Sequence, residues 1–389
     1  MNIKTPRSSF PMIFVLWAAG LGAAAQYGKI SVIFDQLPTL YPEAGPALGF
    51  VVSLVGLVGI FFGSMAGLLV ARISYRRALI WGLWAGAAMS ALQATTLPLG
   101  WLLASRVVEG ASHLAIVVAA PTLIAQPALP GQRGFALTLW GTFFGVAFAV
   151  LAWAGRPLVA LWGIPALFAA HALYMAAFAV LLGSLLPRLP DTALVDRLSL
   201  RALLRDNVAV YRSPATAAPA AGWLFYTFCF VSLLTVLPPF LEPQTRAFVL
   251  GAMPLASIAT SMTLGVFLLR HISAVRVIET GFGSAALASL WLITDPGAPA
   301  GCLVLSCAMG LVQGASFAAV PQLNGVPSDQ ARANGALAQA GNLGNTIGTP
   351  VMAAIAIEFD HTGLMLMAAA MFFGGLLVHA LLAQARRLA

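Results

Sequence analysis

The 389-residue sequence is poor in charge. Asp, Glu, Lys and Arg together make up 8% of it, whereas hydrophobic residues make up 60%. A soluble protein has about 25% charged residues, which cover the surface that faces water. The shortage of charge excludes a soluble enzyme of one or two domains, and the abundance of apolar side chains excludes a disordered chain. The composition predicts a protein that crosses a membrane many times.

Cysteine is also scarce, and its positions give no sign of a site. Cys229, Cys302 and Cys307 lie inside apolar runs, their number is odd, and no CxxC pair occurs. Buried thiols are therefore expected rather than a disulfide or a metal site. The sequence also lacks HExxH and GxxxxGK[ST], so neither a metal nor another cofactor is expected. Without a soluble nucleotide domain, ATP-driven pumping by this chain is excluded.

The formal net charge of +8 arises from 20 basic and 12 acidic residues. The basic residues form no patch or arm, and most lie in short gaps between apolar runs. A nucleic-acid partner is therefore not expected, although the sequence is strongly basic. Cytoplasmic loops of membrane proteins are rich in Lys and Arg, so the basic residues are interpreted as markers of orientation.

Twelve apolar runs are long enough to cross a bilayer as helices, which takes about 20 residues each. Their continuous apolar character favours helices over barrel strands, whose short segments alternate. The N-terminus has the shape of a signal peptide, but its apolar stretch continues to Phe34, so an uncleaved first span is expected. The predicted spans are 11–34, 47–71, 78–98, 101–123, 134–155, 163–186, 217–241, 247–269, 277–294, 299–321, 333–357 and 362–385.

The basic residues predict the orientation of these spans. With the N-terminus in the cytoplasm, 16 of the 20 basic residues fall on the cytoplasmic side, and only Arg156 and Arg246 fall on the other. Both termini are therefore expected in the cytoplasm. Lys29 and Arg106 complete the count, because they fall inside predicted spans. The short loops favour a bacterial inner membrane, and one chain is large enough to work as a monomer.

The chain divides into two halves of six spans. In residues 188–216, leucines alternate with arginines, a pattern that predicts an amphipathic helix on the cytoplasmic face. The expected organisation is an N-terminal six-helix bundle (1–187), this linker (188–216) and a C-terminal six-helix bundle (217–389). The sequences VVEGAS at 107–112 and LVQGAS at 311–316 occupy matching positions in the fourth and tenth spans. Such matches are typical of a duplicated transporter fold.

This organisation resembles the major facilitator superfamily over essentially the whole chain. The family's loop between spans two and three usually reads Gly, three variable residues, Asp, Arg, a variable residue, Gly and then basic residues. Here Ala71 stands at the acidic position and Ser74 at the second glycine. The usual gating ion pair therefore lacks its carboxylate. The residues of this gating loop that match the family are Gly67, Arg72, Arg76 and Arg77.

The fourth span carries a second family motif. Arg106 followed four residues later by Gly110 resembles the motif of proton-coupled members. Drug antiporters of the family carry a Gly-Pro motif in span five, where residues 141–146 keep the glycine spacing without the proline. The resemblance implies an all-α fold of twelve transmembrane helices in two pseudo-symmetric six-helix bundles. It also implies that spans one, four, seven and ten line a central cavity.

Few charged residues fall inside the spans, and they are the candidates for mechanism. Arg106, Glu109 and His113 follow an i, i+3, i+7 spacing, which places them on one face of span four. Lys29 and Gln26 share a face of span one at a similar depth. Ionisable residues inside a membrane are functional by default, whereas an ion network that only holds two spans together is the structural alternative.

Glu109 and His113 are interpreted as the proton-coupling residues, because a buried carboxyl or an imidazole can load and release protons. Two cations against one carboxylate leave one positive charge over, which would suit an anionic solute. Packing and helix association are the alternative for the polar and aromatic candidates. The predicted substrate-binding residues are Gln26, Tyr27, Lys29, Arg106, Tyr226, Gln313, Gln339 and Asn342.

The sequence thus predicts a secondary active transporter that moves a small organic solute by alternating access, coupled to protons, with an anionic solute as one option. Its expected partners are the solute, protons and the lipid bilayer. A multidrug/proton antiporter is the first alternative. A sensor that does not transport and a polytopic membrane enzyme are further alternatives, and the chain is not expected to be an enzyme.

Overall fold

The computed structural model describes residues 10–63, 65–125, 133–187 and 210–388. Within these ranges the chain forms helices and no strand. Ten helical segments there are long and apolar enough to cross a membrane. A helix satisfies its own backbone hydrogen bonds, so it is the structure that long apolar runs adopt where water is absent.

The crossings are numbered α1 to α12 in chain order. The first six are α1 (Phe10–Ser31), α2 (Gly45–Phe62), α3 (Tyr75–Gln93), α4 (Leu99–Ala125), α5 (Phe143–Trp162) and α6 (Ile164–Leu185). The next four are α7 (Pro214–Val236), α8 (Pro243–Leu269), α9 (Ala274–Thr294) and α10 (Pro299–Leu323). Short helices at Ala66–Ile73 and Arg133–Gly141 follow α2 and precede α5.

The last two crossings belong to one continuous segment, Pro327–Leu388, of 62 residues. A bilayer needs only about 20 residues. At Asp360 the backbone has φ 57° and ψ −157°, which is not helical, so the segment consists of α11 (327–359) and α12 (361–388). With α3, which has two arginines in its first turn and is not among the ten apolar segments, the described residues agree with the predicted twelve crossings.

An even number of crossings places both ends of the chain on the same side. We call that side the terminal end of the molecule and the opposite side the far end. Of the predicted amphipathic linker at 188–216, residues 188–209 lie outside the described residues. α7 begins at Pro214, three residues before its predicted start.

The first six and the last six crossings meet along two seams. α2 packs against α11, and α5 packs against α8. Glycine makes the first seam close, because a Cβ atom added at Gly49 would overlap the backbone of Pro350, and one at Gly59 would overlap the side chain of Asn342. Small residues of this kind allow membrane helices to approach each other closely.

Among the described residues, the two sets of helices share an apolar core only at the far end. There, Ile30 and Val51 of the first six crossings belong to the same buried cluster as Val231 and Leu234 of α7. The Thr235 hydroxyl of α7 also donates to the Ser31 hydroxyl of α1 at 2.8 Å. At the terminal end, the buried residues of α1, α3, α4 and α6 form a core of their own. The apolar cores of the two halves are therefore joined at the far end and distinct at the terminal end.

Candidate functional site

A charged cluster is sealed inside the first six crossings. Lys29 Nζ of α1 lies 2.5 Å from Oε1 of Glu109 on α4. One turn away on α4, Arg106 donates through Nη1 to Oε2 of the same carboxylate. All three side chains are fully buried. The structure therefore brings together the three charged residues that the sequence placed at similar depth.

The guanidinium of Arg106 also ties α4 to two backbones. Its Nε donates to the carbonyl of Val51 at 2.8 Å, and its Nη2 donates to the carbonyl of Gln26. Val51 lies just before a 3₁₀ turn, Leu54–Gly56, that interrupts α2. Tighter i→i+3 bonding in such a turn changes the partners of the preceding carbonyls, so that one can accept from a side chain. The cluster thus joins α4 to both α1 and α2.

Three uncharged residues of α3 and α6 complete the cluster. Ser90 accepts from Lys29 Nζ at 2.6 Å, and Gln93 donates to Oε2 of Glu109 at 2.8 Å. The Nδ1 atom of His171, on α6, lies 3.4 Å from Lys29 Nζ. The sequence does not single out these residues, because serine, glutamine and histidine side chains also serve as ordinary hydrogen-bonding contacts between membrane helices.

The hydrogen bonds of His171 determine its tautomer. Its Nε2 lies 2.9 Å from the carbonyl of Gly22, which can only accept, so Nε2 carries a proton. In the neutral ring Nδ1 is then an acceptor, and it lies 2.7 Å from the hydroxyl of Ser90. The resulting chain runs from the Lys29 ammonium to Ser90 and from Ser90 to His171.

The charges in this cluster do not balance. Lys29 and Arg106 supply two positive charges, Glu109 supplies one negative charge, and His171 is neutral in this arrangement. Moving a charge from water into the protein interior costs several kcal/mol of free energy when no opposite charge is present. This cost is similar in size to the free energy of attraction within a well-arranged buried ion pair. The cluster therefore holds one positive charge that the loss of a proton or the arrival of an anion would neutralise.

The polar neighbours Gln26 and His113 lie one turn closer to the terminal end. Gln26 donates through its side chain to the hydroxyl of Ser112 at 2.8 Å. His113 lies with Nδ1 3.0 Å from the carbonyl of Ala23, and its ring contacts the edge of Tyr27 at 5.2 Å between centroids. The hydrogen bonds described for His113 do not reach Glu109, although the two residues lie one turn apart on α4. Their grouping for proton coupling stays a prediction.

An aromatic row crosses from the first half to the second. Tyr27 lies 5.7 Å from Phe144 of α5, which lies 6.3 Å from Phe230 of α7. Phe230 stacks on Tyr226 at 5.5 Å, and Tyr226 stacks on Trp223 at 4.5 Å. In the described part of the chain the buried hydroxyl of Tyr27 has no hydrogen-bond partner. The row places two of the predicted substrate-binding residues, Tyr27 and Tyr226, on one surface between the halves.

The other predicted residues of the second half lie elsewhere. Gln313 of α10 accepts from Ser257 of α8 at 3.4 Å. Gln339 donates to the carbonyl of Ile60 in α2 at 3.0 Å, so it bridges the α2–α11 seam. Asn342 donates to a carbonyl of its own helix, one turn earlier. These contacts are typical of helix packing, and the structure does not bring the three residues to the charged cluster.

The gating-loop residues lie at the terminal end. Gly67, in the short helix Ala66–Ile73, is exposed, and no described atom lies within 4 Å of a Cβ built there; Arg72 and Arg77 are exposed. Arg76 donates to the carbonyls of Leu186 at 2.9 Å and Gly183 at 2.6 Å. Gly183 lies in the last turn of α6 and Leu186 directly follows the helix, where unpaired acceptors favour a cation. Arg76 therefore joins α3 to α6 within the first half.

Comparison with known structures gives the same fold. A bacterial homolog of the human lysosomal transporter Spinster, in an inward-facing and unoccupied conformation, has a TM-score of 0.78 at 12% identity, with 98% of each chain covered. The human organic anion transporter MFSD10 (TETRAN) has a TM-score of 0.68 at 17% identity, covering 94% of this chain and 98% of that one. FucP, in the outward conformation, has a TM-score of 0.66 at 15% identity, covering 97% of this chain and 99% of that one.

Sequence comparison identifies the family. No curated protein is similar enough in sequence to be matched to the chain. Residues 12–324, however, match the family model described as Major Facilitator Superfamily. This match spans most of the twelve crossings, and it confirms the resemblance that the motifs indicated. The chain belongs to the Major Facilitator Superfamily and is a multi-pass membrane protein of that family of secondary transporters.

Proposed function

We propose that the protein is a proton-coupled secondary transporter that moves a small organic solute by alternating access. The observation that carries this proposal is the sealed cluster of Lys29, Arg106 and Glu109, which holds one more positive than negative charge. A cluster of this kind can exist with or without one proton, and the two states differ by one positive charge in a place from which water is excluded. This difference in buried charge can couple proton binding to the position of the helices.

The connections of the cluster support that coupling. It bonds α1, α2, α3, α4 and α6 to one another. In the family that the chain belongs to, spans one and four line the central cavity. A change in the charge of the cluster therefore alters the strength of the contacts that join α1 and α4, which line the cavity, to α2, α3 and α6.

The packing of the two halves supports alternating access. They share a core at the far end and have separate cores at the terminal end, which is the arrangement of a transporter open toward the side of its termini. The excess of basic residues on that side supports cytoplasmic termini in a bacterial inner membrane. In that orientation the structure corresponds to the inward-facing state. We also propose a monomer with bundles at 1–187 and 217–389 joined by the linker 188–216.

The aromatic row supports a solute with an apolar or aromatic portion. Its members lie on α1, α5 and α7, between the two halves, and stacking on such rings contributes about 0.5–1.5 kcal/mol for each pair. The unpartnered hydroxyl of Tyr27 adds one polar group to this surface. The same features suit a multidrug/proton antiporter, which is the alternative proposal.

The excess positive charge supports an anionic solute. One of the similar structures is of an organic anion transporter. In the present conformation Lys29 and Arg106 are turned into the first half and fully buried, so an anion would reach them only after the cluster opens. Lys29→Ala and Arg106→Ala are each expected to weaken the binding of an anionic solute at least tenfold. Normal binding by both variants would contradict the anionic proposal.

The test of the proposed function is transport in liposomes that contain a trapped pH-sensitive dye, screened with a library of small organic solutes. We expect proton movement that depends on one class of solute and is lost in Glu109→Gln. Asp35→Asn is the matched control, because Asp35 pairs with Arg156 at 2.8 Å outside the cluster and is partly exposed. The control should retain coupling.

Three outcomes would contradict the proposal in different ways. If the wild-type protein transports a solute without moving protons, it is a uniporter and not a proton-coupled transporter. If Glu109→Gln couples proton movement to solute transport as well as the wild-type protein does, the cluster has no role in coupling. Solute binding without any flux would indicate a sensor.

A further inference from the structure

The proton of the cluster has to reside on a particular atom, and the hydrogen bonds show which groups can release it. This question rests on the proposed function, because it concerns the same coupling site. The groups that face one another are Glu109 and Arg106 of α4, Lys29 of α1, His171 of α6, and the uncharged Ser90 and Gln93 of α3.

Glu109 is poorly placed to accept the proton. Its Oε1 accepts from Lys29 at 2.5 Å and lies 3.3 Å from the Ser90 hydroxyl. Its Oε2 accepts from Arg106 and from Gln93 at 2.8 Å. The N–H groups of Arg106 and Gln93 on Oε2, and those of the Lys29 ammonium on Oε1, can only donate, so a proton on either oxygen would compete with donors already in place. Protonating Glu109 would also leave two buried cations without a counter charge.

Arg106 is also a poor candidate, since a guanidinium keeps its charge in proteins. Each of its three nitrogens donates a hydrogen bond, to Glu109 and to the backbone carbonyls of Val51 and Gln26. His113 belongs to a separate set of contacts, with the carbonyl of Ala23 and the ring of Tyr27.

Lys29 differs from both residues, because a buried lysine readily exists as a neutral amine. Loss of one proton would leave Arg106 and Glu109 as a balanced pair. A neutral amine at Lys29 could still donate to Glu109 and could accept from the hydroxyl of Ser90, which lies 2.6 Å away. His171 continues this path, since its Nδ1 lies 2.7 Å from the same hydroxyl.

We infer that Lys29 carries the coupling proton, that Ser90 and His171 position it and relay it, and that Glu109 stays ionised throughout the cycle. In the release step, one N–H bond of Lys29 breaks and the proton passes to the Ser90 oxygen. The original hydroxyl proton of Ser90 passes to Nδ1 of His171, which then gives it to water when the site opens. The amine takes up a proton by the reverse path.

The sequence provides a direct way to observe this step, because its only lysines are Lys4 and Lys29. In the full-length Lys4→Arg protein labelled with ¹⁵N-lysine, a single side-chain resonance reports on Lys29. The Lys4→Arg/Lys29→Arg double variant removes that resonance and confirms its assignment. The protein is reconstituted in lipid, without solute, and spectra are recorded from about pH 5 to about pH 9, the range that spans neutral pH.

We expect the Lys29 resonance to change from its ammonium to its amine position within this range. Infrared difference spectra over the same range should show no protonated-carboxyl band that disappears in Glu109→Gln. Ser90→Ala and His171→Leu should each move the midpoint of the lysine change by about one pH unit, a tenfold effect. Ser112→Ala should not, because that buried hydroxyl bonds to Gln26 and Gly82 instead.

A Lys29 that stays an ammonium ion throughout would overturn the inference, as would a protonated-carboxyl band that belongs to Glu109. The liposome assay separates this failure from failure of the proposed function. If the wild-type protein moves protons with a solute while Lys29 remains an ammonium ion, only the assignment to Lys29 is wrong. If no solute moves protons, the proposed coupling itself is wrong.

Discussion

The excess positive charge of the cluster predicts that removing its lysine and removing its carboxylate have opposite consequences for stability. Glu109→Gln leaves Lys29 and Arg106 buried together without a counter charge. Lys29→Met leaves Arg106 and Glu109 as a balanced pair and replaces the ammonium by an apolar group of similar length. The two substitutions lie in the same contact, so their difference depends on charge more than on location.

The size of the difference follows from the complete burial of these side chains. Removing one partner of a buried ion pair costs about 3–5 kcal/mol, because the remaining charge stays unpaired. Replacing a buried charge by a well-packed apolar group is often neutral or stabilising. We therefore expect Glu109→Gln to lower the free energy of unfolding by about 3–5 kcal/mol, and Lys29→Met to change it by less than about 1 kcal/mol.

The assay is unfolding in mixed micelles of increasing SDS content at neutral pH. In a Cys307→Ser background, a thiol-reactive dye reports on unfolding, because Cys229 and Cys302 are buried in the folded protein whereas Cys307 is partly exposed. Asp35→Asn breaks a partly exposed ion pair and should cost less than about 1 kcal/mol. A Lys29→Met protein that is as unstable as Glu109→Gln would refute the reasoning, since it would show that the lysine charge is needed where the structure indicates that it is in excess.

Two further predictions concern the seams and the terminal end. Gly49→Ala should force α2 away from Pro350 and increase the distance between spin labels at the far ends of α2 and α11, whereas Gly67→Ala, where no described atom lies within 4 Å of the added Cβ, should leave that distance unchanged. Arg76→Ala should lower the free energy of unfolding by about 1.5–3 kcal/mol, because it removes charge-assisted hydrogen bonds to α6. Arg332→Ala, which removes an exposed pair on one helix, should cost under about 0.5 kcal/mol in the same assay.

Much of the fold could be predicted from the sequence, because the bilayer imposes a simple requirement on the chain. A helix that crosses it needs a long apolar run, so the positions of such runs predict the crossings. The merged segment supports this reasoning, because the predicted spans 333–357 and 362–385 leave a gap that contains Asp360. The backbone at Asp360 then locates the end of α11 and the start of α12 to one residue.

Part of the site could be predicted in the same way. Arg106 and Glu109 are three residues apart on one helix, and helix geometry alone places them side by side. Their contact with Lys29 was expected, because Lys29 lies in span one at a depth similar to theirs in span four. Ser90, Gln93 and His171 gave no such signal, because no sequence spacing relates α3 and α6 to α4.

The sequence alone determined that the chain crosses a membrane twelve times and that its few intramembrane charges lie on spans one and four. Both conclusions follow from local properties, namely run length and helical spacing. Only the tertiary structure decided that these charges face α3 and α6 inside the first half, and that the halves meet at the far end. Those features depend on contacts between distant segments, such as Lys29 with His171, which the packing of whole helices sets.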